Sequence, residues 1–391
     1  MEKIRLGILG YGNMGSAHAK NIVEKQKCPK IEIKAVCDLK SDRLDAARAM
    51  VGDGAKYYTD AIEMLDSGEI DACLICVPHY DHAKYAIECM NRSLHVMVEK
   101  PAGVYTLQAR EMNKVADQHP EVSFGMMFNQ RTNCVYRKVR ELVQSGKYGQ
   151  VRRVNWIITN WFRPQAYFDS GDWRATWSGE GGGVLLNQCP HQLDLWQWIF
   201  GLPEKLEAKM LFGKWHDIEV EDDVSVWCQF ANGATGVFVT STGDAHGTNR
   251  LEIQMDKAKI VTDSKTIQLR EYEMTVQEFD KINTSPFKSV DSAEVEVETD
   301  GENPQHSGVL NAWADNILEG KPLVADGREG VNGLMLSNAM HLSAFLGKEV
   351  TLPIDEDLYY RELQKRVANS KRKTNVKETF ADATSSFGGT K

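Results

Sequence analysis

Two side chains at distant points of the chain have the chemistry to manage a proton at neutral pH. Lys100 follows the apolar run Leu94, Val96, Met97, Val98 and stands between Glu99 and Pro101. That run, rich in β-branching, reads as a buried strand of a parallel sheet. Proline cannot donate to a sheet ladder, so the strand stops there and delivers the amine to the carboxyl edge, where open α/β folds place ligands. His191 follows Gly181-Gly182-Gly183-Val184-Leu185-Leu186-Asn187-Gln188-Cys189-Pro190. The glycines permit close backbone approach, Pro190 suits the first turn of a helix, and Leu193, Leu195, Trp196 and Ile199 bury the rest of it. Asn187 and His191 share a face where the turn between them is helical. An imidazole, with its pKa near ~6.5, suits a general base, and an ammonium stabilises a developing alkoxide. Taken singly, a surface lysine and a satisfied core histidine are the ordinary readings.

The N-terminal stretch changes that balance. Ile4 to Leu9 reads as a strand, Gly10-Tyr11-Gly12-Asn13-Met14-Gly15 as a tight turn, and Ser16 to Glu24 as a helix. A second strand, Ile31 to Cys37, ends in Asp38. Strand, G-x-G-x-x-G, helix and an acidic residue about 20 positions further on form the dinucleotide-binding fingerprint. The helix N-terminus offers N–H groups to a pyrophosphate, and the Asp38 carboxylate suits adenosine ribose hydroxyls. Asp38 would repel a 2′-phosphate, so NAD is favoured; Arg43 nearby keeps NADP open.

Composition excludes several classes. At 391 residues, two domains are the natural expectation. Hydrophobic content of 42% and charged content of 26% are ordinary for a soluble globular chain, and the net charge of −9 argues against a nucleic-acid partner. No apolar run approaches the ~20 residues that span a bilayer. Lys3 and Arg5 are the only basic residues before the glycine turn, which is not a signal-peptide pattern. The 8 cysteines are too few for a disulfide scaffold and point to a reduced, cytoplasmic setting. Cys73 and Cys76 face opposite sides of a strand and cannot chelate one metal. His79 and His82 lack further ligands, so no metal site is expected; His82 and Pro78 are placed at the cofactor cleft.

The alternation of strands and helices continues. Asp42 to Val51 and Ala61 to Asp66 read as helices, Ala72 to Val77 as a strand, and Asp81 to Asn91 as a helix. Leu107 to Gln118 is a further helix and Val122 to Phe128 the last strand of a parallel sheet. A helix from Cys134 to Ser145 follows. Strands then come in series without helices between them: Val151 to Thr159, Leu206 to Phe212, Val224 to Phe230, Thr235 to Thr242, Arg250 to Met255 and Lys259 to Thr262. That pattern predicts an antiparallel sheet. Gln277 to Thr299 reads as turns with one edge strand, and helices His306 to Glu319 and Gly327 to Leu346 close the second domain. From Glu356 the chain reads as a charged, solvated tail, including Lys371-Arg372-Lys373. The expected division is 1–125 for nucleotide binding, 126–355 for an α+β domain, and 356–391 for the tail.

The glycine fingerprint, Asp38, the Pro78-to-His82 turn, Glu99-Lys100-Pro101 and the Gly-rich run into His191-x-x-Asp194 together resemble the glucose–fructose oxidoreductase/inositol dehydrogenase (Gfo/Idh/MocA) family. The resemblance runs from residue 1 to about 355, and the Glu-Lys-Pro and His-x-x-Asp pair is more specific than the glycines. It implies an α/β Rossmann domain with a parallel doubly wound sheet, and an α+β domain with a large open, mainly antiparallel sheet. It also implies hydride transfer between NAD(P) and a secondary alcohol of a sugar or cyclitol, and a homodimer or homotetramer through the open sheet. The family lysine falls on Lys100 and its histidine on His191, with Asn129 and Glu99 beside the cofactor. The common aspartate falls on Asn187, which hydrogen-bonds but cannot accept a proton.

The expected assignment follows. Lys100, His191 and Asn187 form the catalytic set. Trp161, Arg163, Tyr167, Trp173, Arg174 and Asp194 line the substrate beside Asn187 and His191, through aromatic faces for a pyranose and guanidinium groups for hydroxyls or a carboxylate. Core or subunit packing is the equal alternative for these aromatics. Competing functions are an NAD-dependent glycoside hydrolase, an imine or carbonyl reductase, and a redox-silent NAD-binding regulator; the presence of both Lys100 and His191 speaks against the last.

Overall fold

The computed structural model describes residues 3–371, 373 and 376. The N-terminal part alternates β1 (Ile4–Leu9), α1 (Asn13–Val23), β2 (Ile31–Cys37), α2 (Ser41–Val51), β3 (Lys56–Tyr58), α3 (Ala61–Asp66), β4 (Ala72–Ile75), α4 (His82–Met90), β5 (His95–Val98), α5 (Thr106–Gln118) and β6 (Phe124–Met126). The six strands pair in the order β3-β2-β1-β4-β5-β6, all parallel. Strands buried on both faces need unbroken apolar runs. Ala72-Cys73-Leu74-Ile75 supplies one, with every residue buried. The order reverses between β1 and β4, and that crevice is where doubly wound sheets bind ligands.

After α6 (Cys134–Gln144) and β7 (Val151–Ile158) come α7 (Gln165–Phe168) and α8 (Pro190–Phe200). Strands β8 (Lys205–Phe212), β9 (Glu221–Gln229), β10 (Thr235–Ser241), β11 (Asn249–Met255), β12 (Ala258–Thr262) and β13 (Ile267–Tyr272) follow. The chain closes with α9 (Val276–Ile282), β14 (Ser292–Val295), α10 (Gln305–Glu319), α11 (Gly330–Leu346), β15 (Val350–Thr351) and α12 (Glu356–Ala368). The nine-stranded sheet has the order β14-β13-β12-β11-β7-β10-β9-β8-β15. Its inner face is apolar by period-two alternation: Val154, Trp156 and Ile158 of β7 are buried, as are Val224, Val226 and Cys228 of β9. Its outer face leaves Ile157, Trp227 and Val237 partly exposed.

Four features differ from the sequence reading. The second sheet is mixed: β10 lies parallel to β7, because the long β7–β8 connection through α8 lets the β8-β9-β10 meander return beside β7 in the same direction. Strands β3 and β13 were not anticipated; β3 is too short to show a period. The segment read as turns contains α9, begun by a Thr275/Glu278 capping box that is a T-x-x-E signature in plain sight. Helix α10 does not close the second domain. Its Val309, Leu310, Trp313 and Ala314 pack into one core with Ile4, Leu6, Ile8 and Ile31, against the first sheet.

The tail also departs from expectation. Glu356–Ala368 is a helix whose Tyr359 and Leu363 are fully buried. Beyond it the Ser370 hydroxyl and the Lys371 N–H both bind Glu219, at 2.6 and 2.5 Å. Lys373 donates to the Phe168 carbonyl at 2.8 Å. The apolar spacing Leu358, Tyr359, Leu363, Val367 outweighs the charges that made this stretch look solvated. Arg372 and residues 377–391 lie outside the described residues. Among the described residues no helix is long and apolar enough to cross a membrane.

Candidate active site

The carboxyl ends of the parallel strands open onto one cleft: β1 runs into the glycine turn, β4 into Pro78, β5 into Glu99-Lys100 and β6 into Asn129. Gly10 has φ +92°, and a Cβ on Gly15 would lie 2.0 Å from the Gly10 carbonyl oxygen, so the turn itself requires both. Gly12 differs, since a Cβ there would meet nothing within 4 Å. Packing does not explain its missing side chain, whereas room for a pyrophosphate does. Gly12 caps α1 without a side-chain hydrogen bond, which leaves the helix N-terminus to an anion.

The Asp38 carboxylate lies against this turn. Its Oδ2 accepts the Tyr11 N–H at 2.7 Å and its Oδ1 the Lys40 N–H at 3.0 Å, and each oxygen keeps a lone pair for a ribose hydroxyl. Tyr11 contributes backbone only, because its ring is buried in the core. Asn13 and Met14 open α1, and Arg43 sits partly buried in the first turn of α2. Asn129 is fully buried and donates to Gln305 Oε1 at 2.6 Å. Its own Oδ1 has no partner among the described residues, an acceptor suited to a carboxamide N–H. These residues fit a nicotinamide dinucleotide.

Two expected contacts are corrected. His82 is buried with its ring between the Pro101 carbonyl (Nδ1, 2.6 Å) and the Val77 carbonyl (Nε2, 2.8 Å), so both nitrogens tie loops together and neither reaches a cofactor. Pro78 caps the short turn His79–Asp81 beside it. Asp194 does not line the substrate. It forms a buried two-point pair with Arg131, at 2.8 and 2.6 Å, and accepts a third bond from Gln197 at 3.0 Å. The reason is a partner distant in the chain: Arg131, in the turn Asn129–Thr132, takes up both carboxylate oxygens one helical turn past His191.

Lys100 reaches across to the other domain, where its Nζ donates to the Asn187 backbone oxygen at 2.7 Å. The Lys100–Pro101 peptide is cis. Burial lowers the amine below the usual lysine range; Glu99 and Glu180 oppose that shift, and Arg163 and Arg174 add to it. His191 is buried, and neither ring nitrogen has a hydrogen-bond partner. Burial first, then the Lys100 and His306 charges, push it well below the usual histidine range. It is therefore an uncharged base at neutral pH, facing the lysine. Burial works against ionisation of Glu99, but His18, bonded to it at 2.7 Å, prevails and holds the carboxyl down at about 2. His306 packs edge-on to His18 at 5.3 Å and is pushed down to about 4, chiefly by burial.

The segment 161–188 forms the opposite wall. The Tyr167 hydroxyl donates to Asn187 Oδ1 at 3.1 Å and accepts from Arg174 at 2.9 Å. The Arg174 guanidinium lies over the Tyr167 and Trp173 rings, at 4.6 and 4.5 Å, and Arg163 lies over Tyr167 and Trp161 at 5.2 and 5.7 Å. Trp161 is buried and Trp173 packs edge-on to His79, so part of the aromatic set is wall structure. Asn187 Nδ2 donates to Glu180 Oε1. The sequence reading missed Glu180, His18, His306 and Arg131. Only the fold brings Glu180, His18 and His306 to the cleft, and Arg131 to Asp194. Among the described residues no three His, Cys, Asp or Glu side chains come together to hold a metal.

Residues 4–126 match the oxidoreductase family with an NAD-binding Rossmann fold, and residues 136–261 match the GFO/IDH/MocA C-terminal domain. The chain belongs to the Gfo/Idh/MocA family. It is 29% identical over 202 residues to the rhizopine catabolism protein MocA of Rhizobium meliloti, covering 51% of this chain and 58% of that protein. It is 24% identical over 346 residues to the myo-inositol 2-dehydrogenase of Thermotoga maritima, covering 86% of this chain and 95% of that protein. Among solved structures, the WlbA dehydrogenase from Bordetella pertussis, in complex with NADH and UDP-GlcNAcA, superposes with TM-score 0.77 at 26% identity, covering 91% and 99% of the two chains. As a Gfo/Idh/MocA protein, the chain is an oxidoreductase with an NAD-binding domain.

The Arg131–Asp194 pair sets a test of the corrected assignment. Asp194→Ala leaves a buried guanidinium short of its main partner and costs about 3–5 kcal/mol of stability, measured by urea unfolding. A residue that only lined the substrate would show no such loss.

Proposed function

We propose that this chain oxidises a secondary hydroxyl of a sugar or cyclitol with NAD, using Lys100 and His191 as catalytic residues and Asn187 to orient them. The observation that carries this reading is the meeting of a buried amine and an unpartnered, uncharged imidazole at the carboxyl edge of a dinucleotide-binding sheet. His191 takes the hydroxyl proton, and Lys100 donates to the same oxygen and stabilises the charge that builds there. A nicotinamide bound in the cleft supplies the hydride acceptor. Asn187 holds Lys100 through its backbone oxygen and is itself held by Tyr167 through its side chain, so Lys100 keeps its aim at the oxygen that His191 deprotonates. Asp38 favours NAD over NADP by charge.

The substrate class is supported by an inositol dehydrogenase over nearly the whole chain and by a nucleotide-sugar complex in WlbA. Arg163 and Arg174 over the aromatic wall suit hydroxyl-rich rings and anionic sugars. Sugars, uronates and inositols screened with NAD, followed by absorbance of the reduced cofactor, will show turnover with at least one; release of an aglycone without net absorbance change would instead indicate the hydrolase. Lys100→Ala will lower kcat by at least ~100-fold while leaving NAD binding within a few-fold. Near-native turnover in that variant would remove the assignment.

The depressed His191 fixes the pH dependence. A base whose pKa lies low stays competent as pH falls through the usual histidine range and is lost only below it. The acid limb of kcat/KM will therefore centre below about 6.5. A limb above that value in the native enzyme, unchanged in His191→Ala, would assign the base elsewhere.

The outer face of the nine-stranded sheet, with Ile157, Trp227 and Val237 partly exposed, supports a homodimer or homotetramer through that face. Light scattering will give a multiple of the chain mass, reduced to the monomer by Val237→Asp.

A further inference from the structure

Among the described residues, Glu180 is a buried carboxylate of the second domain that touches the catalytic set and that the mechanism above leaves without a task. It lies on the opposite wall from Glu99, and its residue is 2% exposed. Its two oxygens are both engaged by N–H donors. Oε1 accepts from Asn187 Nδ2, and Oε2 accepts the Ala175 N–H at 2.5 Å. Acceptance at both oxygens favours an ionised carboxylate, whose oxygens are acceptors only. The backbone carbonyl of the same residue meets His79 Nδ1 at 3.2 Å, which fixes the main chain at this point.

Asn187 links this carboxylate to the lysine. Its side-chain amide binds Glu180, and its backbone oxygen takes the Lys100 ammonium at 2.7 Å. Asn187 carries no charge of its own, so the negative charge on this side of Lys100 has to come from elsewhere. A buried ammonium without a nearby anion is strongly disfavoured. We propose that Glu180 is a positioning residue that acts through Asn187, supplying the negative charge that keeps Lys100 protonated and aimed at the substrate oxygen. The proposal rests on the catalytic reading of Lys100 given above.

The other charges around the amine set the sign of the effect. Glu99 and Glu180 favour the ammonium, while Arg163 and Arg174 disfavour it. The imidazoles of His79, His82, His191 and His306 also face it, and burial lowers each below the usual histidine range. Around Glu180 itself, burial is the largest influence and, with Glu221, raises the carboxyl above its usual range, against the pull of Arg174 and the two N–H donors. Lys373 also faces it from the C-terminal segment. Glu99 and Glu180 are the anions that oppose the two guanidinium groups most strongly. Removing one will shift its titration.

The test reads the amine directly. Competitive acetylation of Lys100 across pH, quantified by peptide mass spectrometry, gives the midpoint of its titration in the native chain and in Glu180→Gln, an isosteric change. The midpoint will fall by about 1 pH unit in the variant, the size expected for losing an opposite charge at close range. The alkaline limb of kcat will move the same way. In Glu180→Gln/Asn187→Asp the charge returns to the neighbouring residue, and the midpoint will recover to the native value. A midpoint in Glu180→Gln equal to the native one overturns the proposal. Should the single variant fail to fold, the double variant decides: a native-like midpoint supports the role, and a depressed one removes it. Failure of the dehydrogenase reading would show differently, as no NAD reduction by the native chain with any sugar or inositol, and the amine titration would still be readable.

Discussion

Everything in the cleft depends on bringing a charged amine into a seam between two domains without leaving it unpaired. Lys100 leaves the edge of one sheet and is received by a backbone carbonyl in front of a helix of the other domain. Removing an ammonium from water costs several kcal/mol unless donors and charges answer it. The structure answers it with one carbonyl and with carboxylates on either side, and that requirement fixes how the glycine-rich run must approach the first sheet. Glu221 serves the same end. Its carboxylate accepts the Gly183 and Leu185 N–H groups at 2.8 and 3.0 Å, while His341 lies 3.0 Å from it, so the run is pinned from behind.

The same burial that makes the lysine expensive makes the histidines useful. Burial, helped by the charge on Lys100, lowers His79, His191 and His306 below the usual histidine range. His79 meets a backbone carbonyl through Nδ1, His82 meets one at each nitrogen, and His18 is bonded to Glu99. His191 is set apart because neither nitrogen is engaged. A low proton affinity alone would not make it a base; a free lone pair beside a donor of positive charge does.

Much of the architecture was legible in one dimension because it rests on short-range rules. The glycine turn, the Asp38 strand end, the proline that stops β5 and the proline that opens α8 each follow from backbone sterics over a few residues. Where the reading went astray, a non-local effect or an overlooked local signal had decided the outcome. The direction of β10 depends on where a long connection lets the chain return. Helix α12 looked solvated by charge, yet a stripe of apolar residues finds a surface to cover. Helix α9 was readable from Thr275 and Glu278 and passed unnoticed among polar neighbours.

Within the site the division is similar. The amino-acid order alone determined the nucleotide-binding turn, the lysine at a strand end and the histidine at a helix start, since each is set by its own neighbours in the chain. Only the tertiary structure decided that Asp194 serves Arg131, that His82 ties two loops, and that Glu180 stands behind Asn187. Those partners lie far apart in the chain or on different faces of one segment. Their contacts depend on how two sheets and the helices between them pack, which no local pattern encodes.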